Sequence, residues 1–128
     1  MQDKNNPLSP HLQIYKWQIS SLLSITHRIV GVINILAIII ICFFSLSLLL
    51  GAESYEIING LFKSFIGKFI VMSICWTFSF HILNELRHLL WDLGYGFDLK
   101  VARITGVIAL IGSFILTILF YLIGKNIF

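Results

Sequence analysis

Three long apolar stretches separated by short polar ones set the pattern of this chain. Residues 29–50, "IVGVINILAIIIICFFSLSLLL", run for 22 positions without a charge, and residues 104–124, "ITGVIALIGSFILTILFYLIG", for 21. Between them, residues 69–84, "FIVMSICWTFSFHILN", give an uncharged run of 16. About 20 helical residues cross a bilayer core. The middle run reaches that length when extended back through Lys68, whose stem lets its ammonium reach the headgroups, and forward toward Trp91. Backbone inside a bilayer must satisfy its own hydrogen bonds, so each run is expected to be a helix. The pattern predicts an all-α integral membrane fold with three transmembrane helices, over about 21–50, 64–91 and 103–124. Residues 51–63 and 92–103 read as short connections, and residues 1–20 as a polar leader lying along the surface. Within that leader, Pro10 disfavours helix at Ser9.

Composition narrows the class. The 128 residues are 58% hydrophobic and 12% charged. A soluble domain carries about a quarter charged residues, so a soluble enzyme is excluded. The formal charge of +3 does not call for nucleic acid, because basic residues beside membrane helices mark orientation. Lys4, Lys16, Arg28, Arg87, Lys100 and Arg103 fall on the side of the N-terminus, against Lys63, Lys68 and Lys125 opposite. That excess predicts an N-terminus in the cytoplasm, or in the matrix of a mitochondrion. Cys42 and Cys75 both lie in apolar runs and are expected to be small core residues, not a disulfide or a metal pair. No apolar segment precedes residue 19 or so, and no cleavable signal peptide is expected.

Against this background two polar clusters stand out, and the three-helix topology brings them to one membrane face. In "SITHR", Ser24, His27 and Arg28 are spaced i, i+3, i+4 and share a helical face. They read either as an interfacial anchor or as a functional group of donors, since ionisable residues in a membrane are functional candidates by default. In "HILNELRH", His81, Asn84, Glu85 and His88 are spaced i, i+3, i+4, i+7, again on one face. His81 is deep and flanked by Phe78, Phe80, Ile82 and Leu83. Its imidazole either bonds a serine or carbonyl on another helix, or coordinates iron. In the second case His88, two turns nearer water, and Arg87, His27 and Arg28 at similar depth would form a cationic rim for haem carboxylates. Trp17, Trp91 and Tyr95 read as interfacial belt residues.

Taken together, these segments resemble the large cytochrome b subunit family of succinate dehydrogenase, the respiratory complex II membrane anchor. "PLSPHLQIYKWQISSLLSITHRIVG" is similar to that family's N-terminal pattern, "HILNELRHLLWDLGYG" to its H-x-x-N-G-x-R-H-L-x-W-D-x-G segment, and "KVARITG" to the opening of its third helix. The resemblance implies a haem b- and ubiquinone-binding anchor that passes electrons from an iron–sulfur subunit to ubiquinone in the tricarboxylic acid cycle and respiratory chain. It implies as partners a second small membrane-anchor subunit, an iron–sulfur subunit and a flavoprotein subunit, in a bacterial or mitochondrial inner membrane. By the same resemblance His81 is the haem axial ligand, with the second ligand from the partner anchor. Ser24 and Arg28 line the quinone site, and His27 and His88 lie near the haem propionates. The chain would be no enzyme by itself.

Two positions depart from the family pattern. Glu85 stands where the family keeps a glycine, four residues after the ligand histidine, where it either pairs with Arg28 or Arg87 or crowds the haem. Trp17 stands where proline is common. Two other readings compete. One is an anchor of the quinol:fumarate reductase type, with electron flow reversed. The other is a non-redox membrane adaptor whose histidines act as helix-packing polar glue.

Overall fold

The computed structural model describes residues 17–127, with side chains through Gly124. It contains four helices: α1 (Ile19–Leu50), α2 (Ala52–Lys63), α3 (Phe65–Asp92) and α4 (Leu99–Ile127). Three of them, α1, α3 and the Leu99–Gly124 part of α4, are long and apolar enough to cross a membrane. No strand occurs among the described residues. The leader before Trp17, with Pro7, Pro10, Lys4 and Lys16, lies outside the described residues. At about 1.5 Å per residue the 32 residues of α1 extend roughly 48 Å, longer than a bilayer core, so α1 tilts or projects from it.

The stretch read as a connection over 51–63 is almost wholly helical. α2 is an amphipathic segment of 12 residues with Glu53 in its first turn and Lys63 in its last, both favourable to the helix dipole. It folds because it packs: Tyr55 and Phe62, seven residues apart, both meet Phe44 of α1, at ring-centroid distances of 6.0 and 5.5 Å. A helix this short gains most of its stability from such tertiary contact. The α2–α3 corner is built by Ser64. Its hydroxyl donates to the Leu61 carbonyl at 2.6 Å and accepts from the Gly67 amide at 3.1 Å, capping α3. Gly67 is pressed against the backbone of Leu61 and Phe62, where no side chain fits.

α3 is the central span and packs on both α4 and α1. Its buried positions Thr77, Phe80, Asn84 and Arg87 repeat at three- and four-residue spacing. Opposite, α4 buries Gly106, Ala109, Ser113 and Thr117, a row of small residues that lets the backbones approach. Ser113 and Thr117 satisfy their hydroxyls on the carbonyls of Leu110 and Ser113 of their own helix, so the row is polar in composition yet costs little in lipid. The apolar core is small: Leu23, Val30 and Phe80, with Trp76 against it. Most large apolar side chains face outward, as lipid or neighbouring helices require. Cys42 corrects an expectation: it is exposed on the outside of α1, whereas Cys75 is half-buried on α3, and both are free thiols.

Candidate functional site

α1 and α3 pack side by side so that His27 meets three side chains of the "HILNELRH" segment. The His27 and His81 rings stack, with centroids 4.3 Å apart and planes 16° from parallel. His88 approaches His27 edge-on at 5.3 Å. Glu85 reaches the Nε2 atoms of both stacked rings, its Oε1 3.1 Å from His27 Nε2 and 3.8 Å from His81 Nε2. The shorter contact is close but poorly aligned for a hydrogen bond, so Nε2 of His27 is left without a hydrogen-bond partner, as is Nδ1 of His81. The cluster opens outward: the His27 side chain is 14% exposed, His81 33% and Glu85 51%. His27, His81 and Glu85 bring three ligand atoms within 4.8 Å of one another, a donor set of the kind that binds metal ions. Across α1, Gly31 faces Cε1 of His81, where an added Cβ would stand at ordinary contact distance, 3.6 Å.

Ser24 and Arg28 lie exposed on α1, one on each side of His27 in sequence. Among the described residues neither has a hydrogen-bond or ion-pair partner. Of the five residues singled out from the sequence, His27, His81 and His88 meet one another, and Ser24 and Arg28 lie within one turn of His27 along α1.

The rim expected around them is smaller than the spacing suggested. Arg87 turns the other way and is 6% exposed. Its guanidinium donates to the Ala102 carbonyl at 2.8 Å, to Thr105 Oγ1 at 3.2 Å and to Asn84 Oδ1 at 3.4 Å, and sits 4.2 Å from the Trp91 ring centre. It clasps α3 to α4 and is unavailable to a ligand or to Glu85. Asn84 follows it to the buried side. Glu85 likewise pairs with neither Arg28 nor Arg87 but with His27. One helical step separates Arg87 from His88, a turn of about 100°, and that puts them on different faces. Trp91 bonds the loop, Nε1 donating to the Gly96 carbonyl at 3.2 Å, and its ring touches His88 at 5.3 Å.

One buried polar residue escaped the sequence reading. Asn34 is 6% exposed on α1, and neither its amide nitrogen nor its oxygen has a partner. It lies seven residues beyond His27, on the same face, inside an otherwise apolar run. An amide in such a run was the available signal.

Comparison with known proteins gives a consistent picture. Residues 2–120 match the family described as succinate dehydrogenase/fumarate reductase transmembrane subunit. The chain is 39% identical over 115 residues to the succinate dehydrogenase cytochrome b556 subunit of Rickettsia conorii, covering 90% of each chain. It is 30% identical over 115 residues to the subunit of the same name from Paracoccus denitrificans, covering 90% of this chain and 88% of that one. It is 37% identical over 108 residues to the mouse mitochondrial succinate dehydrogenase cytochrome b560 subunit, covering 80% of this chain and 62% of that one.

Proposed function

This chain belongs to the succinate dehydrogenase/fumarate reductase transmembrane subunit family, and from that membership we propose that it is the membrane-anchoring, haem b-binding subunit of a succinate:ubiquinone oxidoreductase. The chain is not the catalyst of succinate oxidation; it is the anchor through which electrons from an iron–sulfur subunit reach ubiquinone. Its partners in this reading are that subunit, a flavoprotein and a second small membrane anchor. The membrane is a bacterial or mitochondrial inner membrane, with the N-terminus on the cytoplasmic or matrix side. Arg28, Lys100 and Arg103 at that end support the orientation.

The observation that supports the site assignment is the His27, His81 and His88 cluster between α1 and α3, with Ser24 and Arg28 exposed within a turn of His27. His81 is the axial ligand in this reading, and the fit rests on two features. One ring nitrogen, Nδ1, has no protein partner, and a third of the side chain opens to the outside of the bundle. A residue of the partner anchor would hold the haem together with His81. When bound, haem b supplies a one-electron store beside the quinone site. His27 and His88 flank His81 and offer nitrogen donors to the propionate region.

Ser24 and Arg28 bind the quinone. A quinone carbonyl accepts hydrogen bonds, and reduction by two electrons and two protons places negative charge on its oxygens before they are protonated. The Ser24 hydroxyl orients one carbonyl. The Arg28 guanidinium, free of any partner among the described residues, stabilises the developing charge. Because these donors need no reorganisation away from other partners, their full strength is available to the substrate.

The test is a pair of assays on the assembled complex. Arg28→Ala should lower ubiquinone reduction at least tenfold while leaving electron transfer from succinate to a flavin-level artificial acceptor within about twofold of wild type, since one lost charge-assisted contact costs on the order of 1.5–3 kcal/mol. Equal loss in both assays would point to failed assembly instead and remove the quinone role. The family description also covers the reverse flow. Quinol-driven fumarate reduction exceeding succinate oxidation in the same preparation would favour that direction.

A further inference from the structure

Glu85 is the one acidic side chain in the cluster, and its surroundings make its charge consequential. Its two close contacts with nitrogen are to imidazoles, His27 at 3.1 Å and His81 at 3.8 Å. The nearest basic residue in sequence, Arg87, is fully engaged on α4. Arg28 has no ion-pair partner among the described residues. Glu85 therefore carries a carboxylate that no permanent cation neutralises. The side chain is 51% exposed, so water reaches its carboxylate in this chain.

Accepting the reading of His81 as an axial ligand, on which this rests, we propose that Glu85 is a positioning residue of the redox centre. Its carboxylate stands at the α1/α3 contact, against His27 and His81, and places a negative charge beside the His81 imidazole that lowers the potential of the haem carried there. The physical basis is simple. The oxidised centre bears one more positive charge than the reduced one, so a nearby carboxylate favours the oxidised form. A carboxylate close to a ligating imidazole also raises its basicity, which acts in the same direction. Local charge and the partners of the axial ligand are both recognised levers on a haem potential. The carboxylate oxygen lies nearer to His27, at 3.1 Å, than to His81, at 3.8 Å.

The experiment is a redox titration of the b-type absorbance in the assembled complex, comparing wild type with Glu85→Gln, Glu85→Gly and Glu85→Asp. The glutamine variant preserves shape and removes charge, and the aspartate variant keeps the charge. The expected result is a rise in potential for both Glu85→Gln and Glu85→Gly of at least about tenfold in the one-electron equilibrium constant, which is 59 mV. Glu85→Asp should stay closer to wild type than either. An unchanged potential in both neutral variants would overturn the role of Glu85 and leave the haem reading standing. Loss of the band in both neutral variants would also overturn it, making Glu85 a structural requirement. A wild-type complex without a b-type band, gained in Glu85→Gly, would show that the carboxylate excludes haem, again against the proposal. Absence of the band in wild type and every variant would instead refute the haem reading itself.

Discussion

Replacing Arg87 by alanine should loosen α4 from α3 without touching the quinone donors. The guanidinium makes three hydrogen bonds, to Ala102 at 2.8 Å, Thr105 at 3.2 Å and Asn84 at 3.4 Å, and lies 4.2 Å from the Trp91 ring centre. Hydrogen bonds between membrane helices average about 0.6 kcal/mol, and those from a charged donor in protein run to about 1.5–3 kcal/mol. Taking about 1 kcal/mol for each of the two shorter bonds, less for the long one, and about 1 kcal/mol for the cation–π contact gives a loss of roughly 3–4 kcal/mol. The variant also strips Asn84 Oδ1 of its partner in a site only 1% exposed, which adds to the cost. The measurement is reversible unfolding of the assembled complex in mixed micelles. Arg87→Lys should recover about half of the loss, because an ammonium keeps the contact with Trp91 but cannot reach three acceptors in a fork. Quinone reduction per assembled complex should remain within about twofold of wild type in Arg87→Lys, since Arg87 faces α4 and not His27. A loss below about 1 kcal/mol for Arg87→Ala, or a fall in quinone reduction as steep as that of Arg28→Ala, would refute the clasp.

Further expectations concern the corners and crossings that set the helix positions. Gly67→Ala places a Cβ against the backbone of Leu61 and Phe62, which cannot step aside, so a loss of about 3 kcal/mol or more in the same unfolding assay is expected. Ser64→Ala at the adjoining cap should cost only about 1 kcal/mol; a loss equal to that of Gly67→Ala would contradict the steric account. At Gly106 an added Cβ meets the flexible end of Leu23 of α1, so Gly106→Ala should cost about 1–3 kcal/mol. Combining it with Leu23→Ala should then cost less than the sum of the two single changes, and strict additivity would show that the residues do not touch.

Much of this architecture was readable from the chain. The uncharged runs had to become helices, because a bilayer offers the backbone no other partner, and their number and order followed from where charges interrupt them. The two polar clusters were legible for the same reason: a histidine beside Phe80 and Ile82 is conspicuous where every polar group is costly. What spacing left open was direction. Helical periodicity places His81, Asn84, Glu85 and His88 within one broad face, yet the fold divides that face, sending His81, Glu85 and His88 toward α1 and Asn84 with Arg87 toward α4. α2 was also beyond the pattern, since the glycines and charges of residues 51–63 read as a connection and its helix packs on Phe44. Thus the sequence by itself determined a three-span membrane anchor with its imidazoles and donors at one end, because water and lipid act on each segment separately. Only the tertiary structure decided that Arg87 is a clasp and that Glu85 answers to His27. Such choices depend on which neighbour stands within about 4 Å, a distance that no single helix contains.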